Sequence, residues 1–430
     1  MHNVRPLLTS LIIAIGSMFL SVAAAAQEAA GRLVIVGGAL EPETEEVYAA
    51  FLGEAQARSG LSIAVISAAS GSPVGSAQRF TQTLARYGVS AEQVVHVRVA
   101  VVDDRDTMRV DESGWRDAGE NPAEIAKIEN ADAIWFTGGD QDRLAAVLIK
   151  DDGSPTPMLT ALRERLAAGG TIGGTSAGAA MMGPVMITRG EPITALLEVP
   201  VRLADGERSP ETDRLVMARG MGFLPYGLTD QHFDERGRLA RLARGVAALP
   251  GALRLGFGVD ENTALIVDLA DHTLSVAGAG SVTVLDGRAA EFASLDGAFQ
   301  AEGLRLHVLT RGDRLTLSSG DMRPASYKSA TVGDEYFNQA VASGGGMAVP
   351  SGSLAGFVGE ALLDNAAQTG VERLSFSGDR GVVYRFTQTA DSGGYWGRDE
   401  AGTGRYLIHD VDFSITPVRL EVMPLDESAP

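Results

Sequence analysis

Apolar residues fall along the first part of the chain in short runs, each closed by glycine, serine or polar residues. Leu33-Val-Ile-Val36 ends in Gly37-Gly38, and Ser62-Ile-Ala-Val-Ile-Ser67 repeats the theme after a stretch with helical spacing over 43–59. This is a βαβ rhythm. A helical pattern over 76–87 leads to a strand over 93–97. Another over 123–130 leads to Ala133-Ile-Trp-Phe136 and then Thr137-Gly138-Gly139-Asp140, and a third over 158–168 leads into the run that ends at Ser176. Alternation of this kind predicts an α/β fold, a mostly parallel sheet with helices on both faces, whose functional loops lie at the carboxyl ends of the strands.

Two stretches break the rhythm. Residues 103–121 are charged and poorly periodic, and 189–219 form a long interval containing Pro192, Pro200 and Pro210. Both read as excursions near the site, since loops of this length are often lids. Beyond Asp260 the pattern turns to alternating strands, over 263–268, 281–285 and 304–309. Residues 321–430 are glycine- and serine-containing, with strand candidates over 383–388 and 418–422. They read as a separate C-terminal appendage, mainly β or mixed. The expected domains are therefore a leader over 1–26, a catalytic domain over 27–320 and the appendage over 321–430.

Composition narrows the setting. Arg5 begins a short basic start, 7–22 is mostly apolar, and Ala24-Ala25-Ala26 offers a small-residue cleavage site before Gln27, which together read as a signal peptide and a secreted or periplasmic protein. The apolar run falls short of the ~20 residues a spanning helix needs, so no stable membrane anchor is expected. The chain has no cysteine, which removes disulfides, thiolate catalysis and cysteine-ligated metals. A formal net charge of −19 argues against nucleic acid and anionic membranes as partners.

The candidate chemistry centres on Gly174-Thr175-Ser176-Ala177-Gly178. This G-x-S-x-G follows an apolar strand and precedes Ala179-Ala180-Met181-Met182, the strand–turn–helix context in which a serine is lifted clear of the sheet as a nucleophile. A serine hydroxyl needs a base, most often a histidine steered by a carboxylate. Of the six histidines, His2 lies in the leader, His96, His307 and His409 sit in apolar strand patterns, and His272 lies in a turn. His232 differs, because Asp230-Gln231-His232-Phe233-Asp234-Glu235-Arg236-Gly237-Arg238 surrounds it with charged and polar groups. Its carboxylate could be Asp230, Asp234, Glu235, Asp260 or Glu261. Spacing does not choose among them, although Asp260-Glu261 follows a strand end and so falls among the other loops. That carboxylate should hold the histidine near or above the ~6.5 reference pKa.

Four runs in one order carry a resemblance: Thr137-Gly-Gly-Asp-Gln141, Gly173-Gly-Thr-Ser-Ala-Gly-Ala179, Asp230-Gln-His-Phe233 with its trailing arginines, and Gly258-Val-Asp-Glu-Asn-Thr-Ala-Leu265. Together they resemble cyanophycinase, a serine peptidase of the peptidase E-like group whose fold is similar to class I glutamine amidotransferases. The resemblance covers about residues 32–317. It implies Ser176 as nucleophile, His232 as general base and Glu261 as its partner, with Ala177 and Gly139 as oxyanion donors. It further implies Gln141, Asp230 and Gln231 beside the scissile aspartate, and Arg236, Arg238 and Arg241 around the charged substrate. Those arginines, at i, i+2 and i+5, do not share one helical face.

The implied reaction is hydrolysis of cyanophycin, a poly-aspartate backbone whose side chains carry arginine, to β-aspartyl-arginine dipeptides, without metal or organic cofactor. There is no H-E-x-x-H for a zinc hydrolase, and Gly37-Gly38 is too weak a signal for a nucleotide site. The resemblance also allows a homodimer. An aspartyl dipeptidase of the peptidase E type and a non-catalytic binder of an anionic or arginine-rich polymer are the competing readings. Since every motif with a catalytic rationale precedes Asp321, a chain ending there is expected to keep the chemistry.

Overall fold

The computed structural model describes residues 31–53, 60–108, 110–197, 202–203, 215–341, 346–347 and 354–421; the expected leader lies outside them. The early rhythm becomes five parallel strands, β1 (Arg32–Val36), β2 (Ile63–Ile66), β3 (Val94–Val97), β4 (Ala133–Phe136) and β5 (Thr171–Thr175), lying in the order β1-β5-β4-β2-β3. Every residue of β2 and β4 is buried, as a parallel sheet covered on both faces requires. β1 shows how. Its Leu33 and Ile35 enter one core with Ile66, Phe136 and Ile172, while Val34 and Val36 enter another with Phe51, Val65 and Trp135. Alternate side chains thus fill opposite layers.

The covering helices start where the sequence signals them. Helices Pro73–Ala85, Pro122–Glu129 and Pro157–Ala167 each open on proline, whose missing N–H costs nothing in the first turn. Asn121 and Thr156 cap the last two, each accepting a backbone N–H of the first turn. The expected helix over 43–59 is present as Glu45–Leu52, and 54–59 fall outside the described residues. The excursion over 103–121 is an anchor and not a loose lid. Buried Asp104 accepts the N–H groups of Val74 and Gly75 at the start of one helix, and Glu112 accepts the N–H of Asp104.

The remaining strands are β6 (Val185–Arg189), β7 (Arg202–Leu203), β8 (Val216–Arg219), β9 (Gly227–Gln231), β10 (Leu255–Val259), β11 (Thr263–Asp268), β12 (Thr273–Gly278), β13 (Ser281–Asp286), β14 (Glu291–Leu295), β15 (Ala298–Thr310), β16 (Arg314–Thr316), β17 (Met322–Arg323), β18 (Ser329–Ala330), β19 (Gly370–Ser377), β20 (Arg380–Thr387), β21 (Gly393–Arg398) and β22 (Gly404–Arg419). β11, β12, β16 and β17 extend the first sheet antiparallel beyond β1, making it mixed, with nine strands. β6, just before the 189–219 interval, forms a small sheet with β7 and β8 inside it, and most of the interval's middle lies outside the described residues.

A second sheet of ten strands runs β18-β21-β22-β15-β13-β10-β9, with β14, β19 and β20 attached. Here the structure differs from the expectation of a separate appendage. β22, near the end of the described chain, pairs with β15, and buried Leu304, Leu306 and Val308 of β15 share one core with Phe386, Val411 and Phe413. An amphipathic strand as long as β15 needs a neighbour on each side, and β13 supplies only one. Among the described residues no helix is long and apolar enough to cross a membrane.

Candidate active site

β5 runs between β1 and β4 and ends at Thr175, so Ser176 stands at the carboxyl edge of the first sheet. Its backbone has φ 54 and ψ −109, outside the regions an L-residue favours. Strain of this kind costs on the order of 1–3 kcal/mol and persists where the surroundings over-determine it. Here the N–H of Ser176 donates to Val36 O at 3.0 Å, and its carbonyl accepts from Ala179 and Ala180, both at 2.9 Å. The flanking glycines are sterically required. A Cβ on Gly174 would lie 2.6 Å from Gly178 O, and one on Gly178 would lie 2.7 Å from Phe136 O.

β9 and β10 are parallel neighbours with Gln231 opposite Val259. The residues just past their ends therefore meet. His232 donates its N–H to Gly37 O at 2.7 Å and also has a positive φ, 46. Its Nε2 lies 2.9 Å from Ser176 Oγ, and its Nδ1 lies 2.5 Å from Glu261 Oε1. Ser176, from the first sheet, thus joins His232 and Glu261, from the second, in one hydrogen-bonded chain. The ring rests on Gly38, where a Cβ would sit 2.2 Å from His232 Cε1.

Burial lowers the His232 pKa below its ordinary 6.5, opposed by the Glu261 hydrogen bond and assisted by the Arg236 charge. That reverses the expected direction: Glu261 is partly exposed while the ring is nearly enclosed, so desolvation of the imidazolium outweighs the carboxylate.

Each carboxylate that the sequence left open has a separate place. Glu261 is the one on the ring. Asp230 is fully buried and accepts both Nε (2.7 Å) and a terminal nitrogen (2.5 Å) of Arg241, with Arg238 at 3.6 Å. Burial works to raise its pKa, and the two guanidinium groups outweigh that and hold it below the ordinary range. Asp260 accepts Ser281 N–H at 2.8 Å and Ser281 Oγ–H at 2.6 Å, and burial pushes it up to about 7. Asp234 accepts the N–H of Leu354 at 2.6 Å and is pushed by burial up to about 6. Glu235 accepts the N–H of Glu261 at 3.1 Å.

The residues expected around the substrate divide accordingly. Arg241 is occupied inside the protein by Asp230 and by the carbonyl of Gly190, and buried Arg238 donates to the carbonyl of Gln231. What sets the trio apart is burial: Arg238 and Arg241 are enclosed beside one carboxylate, whereas Arg236 is exposed to solvent. Gln141 donates its amide to the carbonyls of Ile187 and Thr188, at 2.9 and 3.1 Å, and so ties β6 to the site. Gln231 keeps a buried amide oxygen without a partner among the described residues.

Ala177 opens the helix Ala177–Ala180, so its N–H has no intrahelical acceptor. Gly139 has φ 145 and packs on Ala69 O, whereas Gly138 is the glycine that faces the serine: a Cβ there would lie 3.3 Å from Ser176 Cβ.

Sequence reasoning missed two supports. Gly37-Gly38 forms the shelf under the histidine, as described above. Asn262, at φ 49, donates its N–H to Gly38 O at 2.8 Å and accepts from Glu41 N–H and Thr44 Oγ1. It pins the loop after β1 to Glu261. A Gly-Gly at the end of a strand was the available signal for the first; the second lies in a quoted motif but needed the fold to acquire a role. Among the described residues no group of three or more potential ligands could hold a metal ion.

The family model for Peptidase family S51 matches residues 107–274, a span that includes Ser176, His232 and Glu261. The chain is 32% identical over 303 residues to a cyanophycinase of Trichormus variabilis, covering 69% of this chain and 89% of the relative. It is 34% identical over 259 residues to a cyanophycinase of Geminocystis herdmanii, covering 59% and 81%. A crystal structure of a peptidase from an acI-B1 Actinobacterium aligns with a TM-score of 0.44 at 19% identity, over 68% of this chain and 98% of that one.

Proposed function

Since the chain belongs to peptidase family S51, alongside the cyanophycinases, and is a serine-type peptidase, we propose that it hydrolyses cyanophycin to β-aspartyl-arginine dipeptides through an acyl-enzyme on Ser176. The observation that carries the mechanism is the Ser176–His232–Glu261 chain, at 2.9 and 2.5 Å. His232 takes the Ser176 proton at Nε2 as Oγ attacks a main-chain aspartyl carbonyl. Glu261, on Nδ1, fixes the tautomer and stabilises the imidazolium that forms. The N–H of Ala177 and one from the Gly138-Gly139 turn hold the oxyanion, an effect worth about 3–4 kcal/mol per donor in a comparable hydrolase. His232 then protonates the leaving amine, and water resolves the ester.

Arg236 supplies the exposed positive charge beside His232 that a substrate rich in carboxylate groups would meet. The leader over 1–26 supports a secreted or periplasmic setting, in which the polymer would be an external nutrient. The test is incubation of the protein, freed of its leader, with insoluble cyanophycin and mass analysis of what dissolves. β-Aspartyl-arginine is the expected product. Release of free aspartate from small aspartyl peptides, with the polymer untouched, would replace this reading with an aspartyl dipeptidase. Failure of a serine-reactive phosphonate to label Ser176 would replace it with a polymer-binding protein.

A further inference from the structure

The carboxylates behind the histidine form a chain of their own that reaches into the C-terminal region. Asp234 lies in the short turn Asp234–Arg236, two residues past His232. Its own N–H donates to Asp260 Oδ1 at 3.1 Å, and its Oδ2 accepts the N–H of Leu354, 120 residues further on, at 2.6 Å. Asp260 is fixed in turn by Ser281 and immediately precedes Glu261. Glu235 closes a second tie by accepting the N–H of Glu261. The turn carrying the base and the turn carrying its carboxylate are therefore stitched together, and Leu354 is attached to the stitch.

Two physical points give that attachment a consequence. A buried carboxylate oxygen deprived of its donor is costly, so the turn would move to solvate it. The backbone of His232 is held at a positive φ that surrounding contacts must enforce. Leu354 and Val358 of the helix Leu354–Val358 are buried in the same core as Phe233, the residue between His232 and Asp234. The Leu354–Asp234 hydrogen bond is thus made beside a core to which both the helix and the turn contribute.

We propose that Asp234 is a positioning residue through which the C-terminal region sets the His232–Glu261 pair, so that the reactivity of Ser176 depends on the docking of residues 354–358. The proposal rests on the peptidase reading of the site. It adds that the region past Asp321 takes part in catalysis indirectly, by holding the base.

The test uses the full chain and the saturating rate at which a fluorophosphonate labels Ser176, so it does not depend on cyanophycin being the substrate. Asp234→Ala is expected to slow labelling about ten-fold or more at saturation, with little change in the reagent concentration needed to reach half-maximal rate. Asp234→Asn keeps an oxygen that accepts the Leu354 N–H and should restore the rate to within about three-fold of the parent. A structural role alone would give no such rescue at equal melting temperature. Labelling of the alanine variant at the parental rate overturns the proposal. So does an asparagine variant that folds but labels about ten-fold or more slowly than the parent, a comparison that stands even where Asp234→Ala fails to fold. Absence of labelling in the parent, matched by Ser176→Ala, would instead overturn the peptidase reading.

Discussion

Ser176 and His232 both sit in strained backbone at strand ends, yet the sheets that carry them are assembled differently. β5 lies between β1 and β4, inside the parallel block spelled out by the early strand–helix alternation. β9 lies at an edge of the second sheet, and reaching its support means passing through β10, β13 and β15 to β22, almost two hundred residues later in the chain. The nucleophile thus stands in a parallel block that is complete once β5 is laid beside β1 and β4, and the base on a sheet that is completed only by strands from the far end of the chain. The proton passes through one 2.9 Å contact, and the bond of His232 N–H to Gly37 O ties the base to the first sheet as well, so the site depends on both sheets.

Removing residues 321–430 is the severest way to break this contrast. The sequence alone suggests that a shorter chain keeps the chemistry. The structure predicts the opposite, because deletion strips β22 from β15 and uncovers Leu304, Leu306 and Val308, each worth about 1.5–3 kcal/mol of burial. The shortened protein should aggregate and show no phosphonate labelling. A soluble, monomeric fragment labelled at the parental rate would show that the second sheet stands without its last strands.

Point changes in the triad come next. Ser176→Ala should lower peptidase turnover by on the order of 10³-fold or more while leaving the melting temperature near the parent's, since the side chain serves chemistry and not core volume. Retention of a tenth of the activity would remove the serine from its assigned role. Glu261→Gln should cost less, on the order of 10²-fold, because the partly exposed carboxylate orients and stabilises the ring without touching the reacting atoms. An unchanged rate would shift the orienting role to another group.

The acid limb of the pH profile is a gentler probe of the same turn. Burial holds His232 below 6.5, so the neutral base persists further into acid than a free histidine would. Hydrolysis of a soluble substrate should fall with a midpoint below 6.5 as pH decreases. A midpoint at or above 6.5 would mean that the Glu261 carboxylate outweighs desolvation, as the sequence suggests.

What could be read from the sequence follows the same division. Local signals sufficed for β1 to β5, for the proline-started helices and for the elbow at Ser176, since each depends on residues close in sequence. His232 stood out by the charge around it, and Glu261 came with a motif. The internal pairing of Asp230 with Arg241, the Asp234–Leu354 bond and the union of β15 with β22 left no trace, because a carboxylate's partner is decided by which distant backbone or guanidinium the fold brings to it. For that reason the resemblance set all three arginines around the substrate, although two of them are buried.

The smallest expected effect separates the two regions by the sign of a pH slope. Asp260, behind the base, has its pKa raised by burial from 3.8 to about 7. Between those values the native state keeps a proton that the unfolded chain has released, so this group makes the protein less stable as pH rises through that window and adds nothing further above it. Asp104, in the first region, is the reverse. Burial opposes its ionisation, but hydrogen bonds from Ser72 and from the backbone of Gly75, Asp106 and Val74 outweigh it and lower the pKa. Its contribution is present above 3.8 and lost as pH falls through the lowered value. An asparagine cannot ionise, so the melting temperature of Asp260→Asn should gain on the parent between pH 5 and pH 7 and then level off. The gain should be a few degrees at about 2–4 °C per kcal/mol, reduced because Asp234 and Glu235 relax when their neighbour's charge is gone. Asp104→Asn should instead lose ground as pH rises from below 3.8. Parallel slopes in the two variants would mean that the carboxylates behind the base are no more strained than those that cap a helix, and the contrast between the sheets would then be one of topology alone.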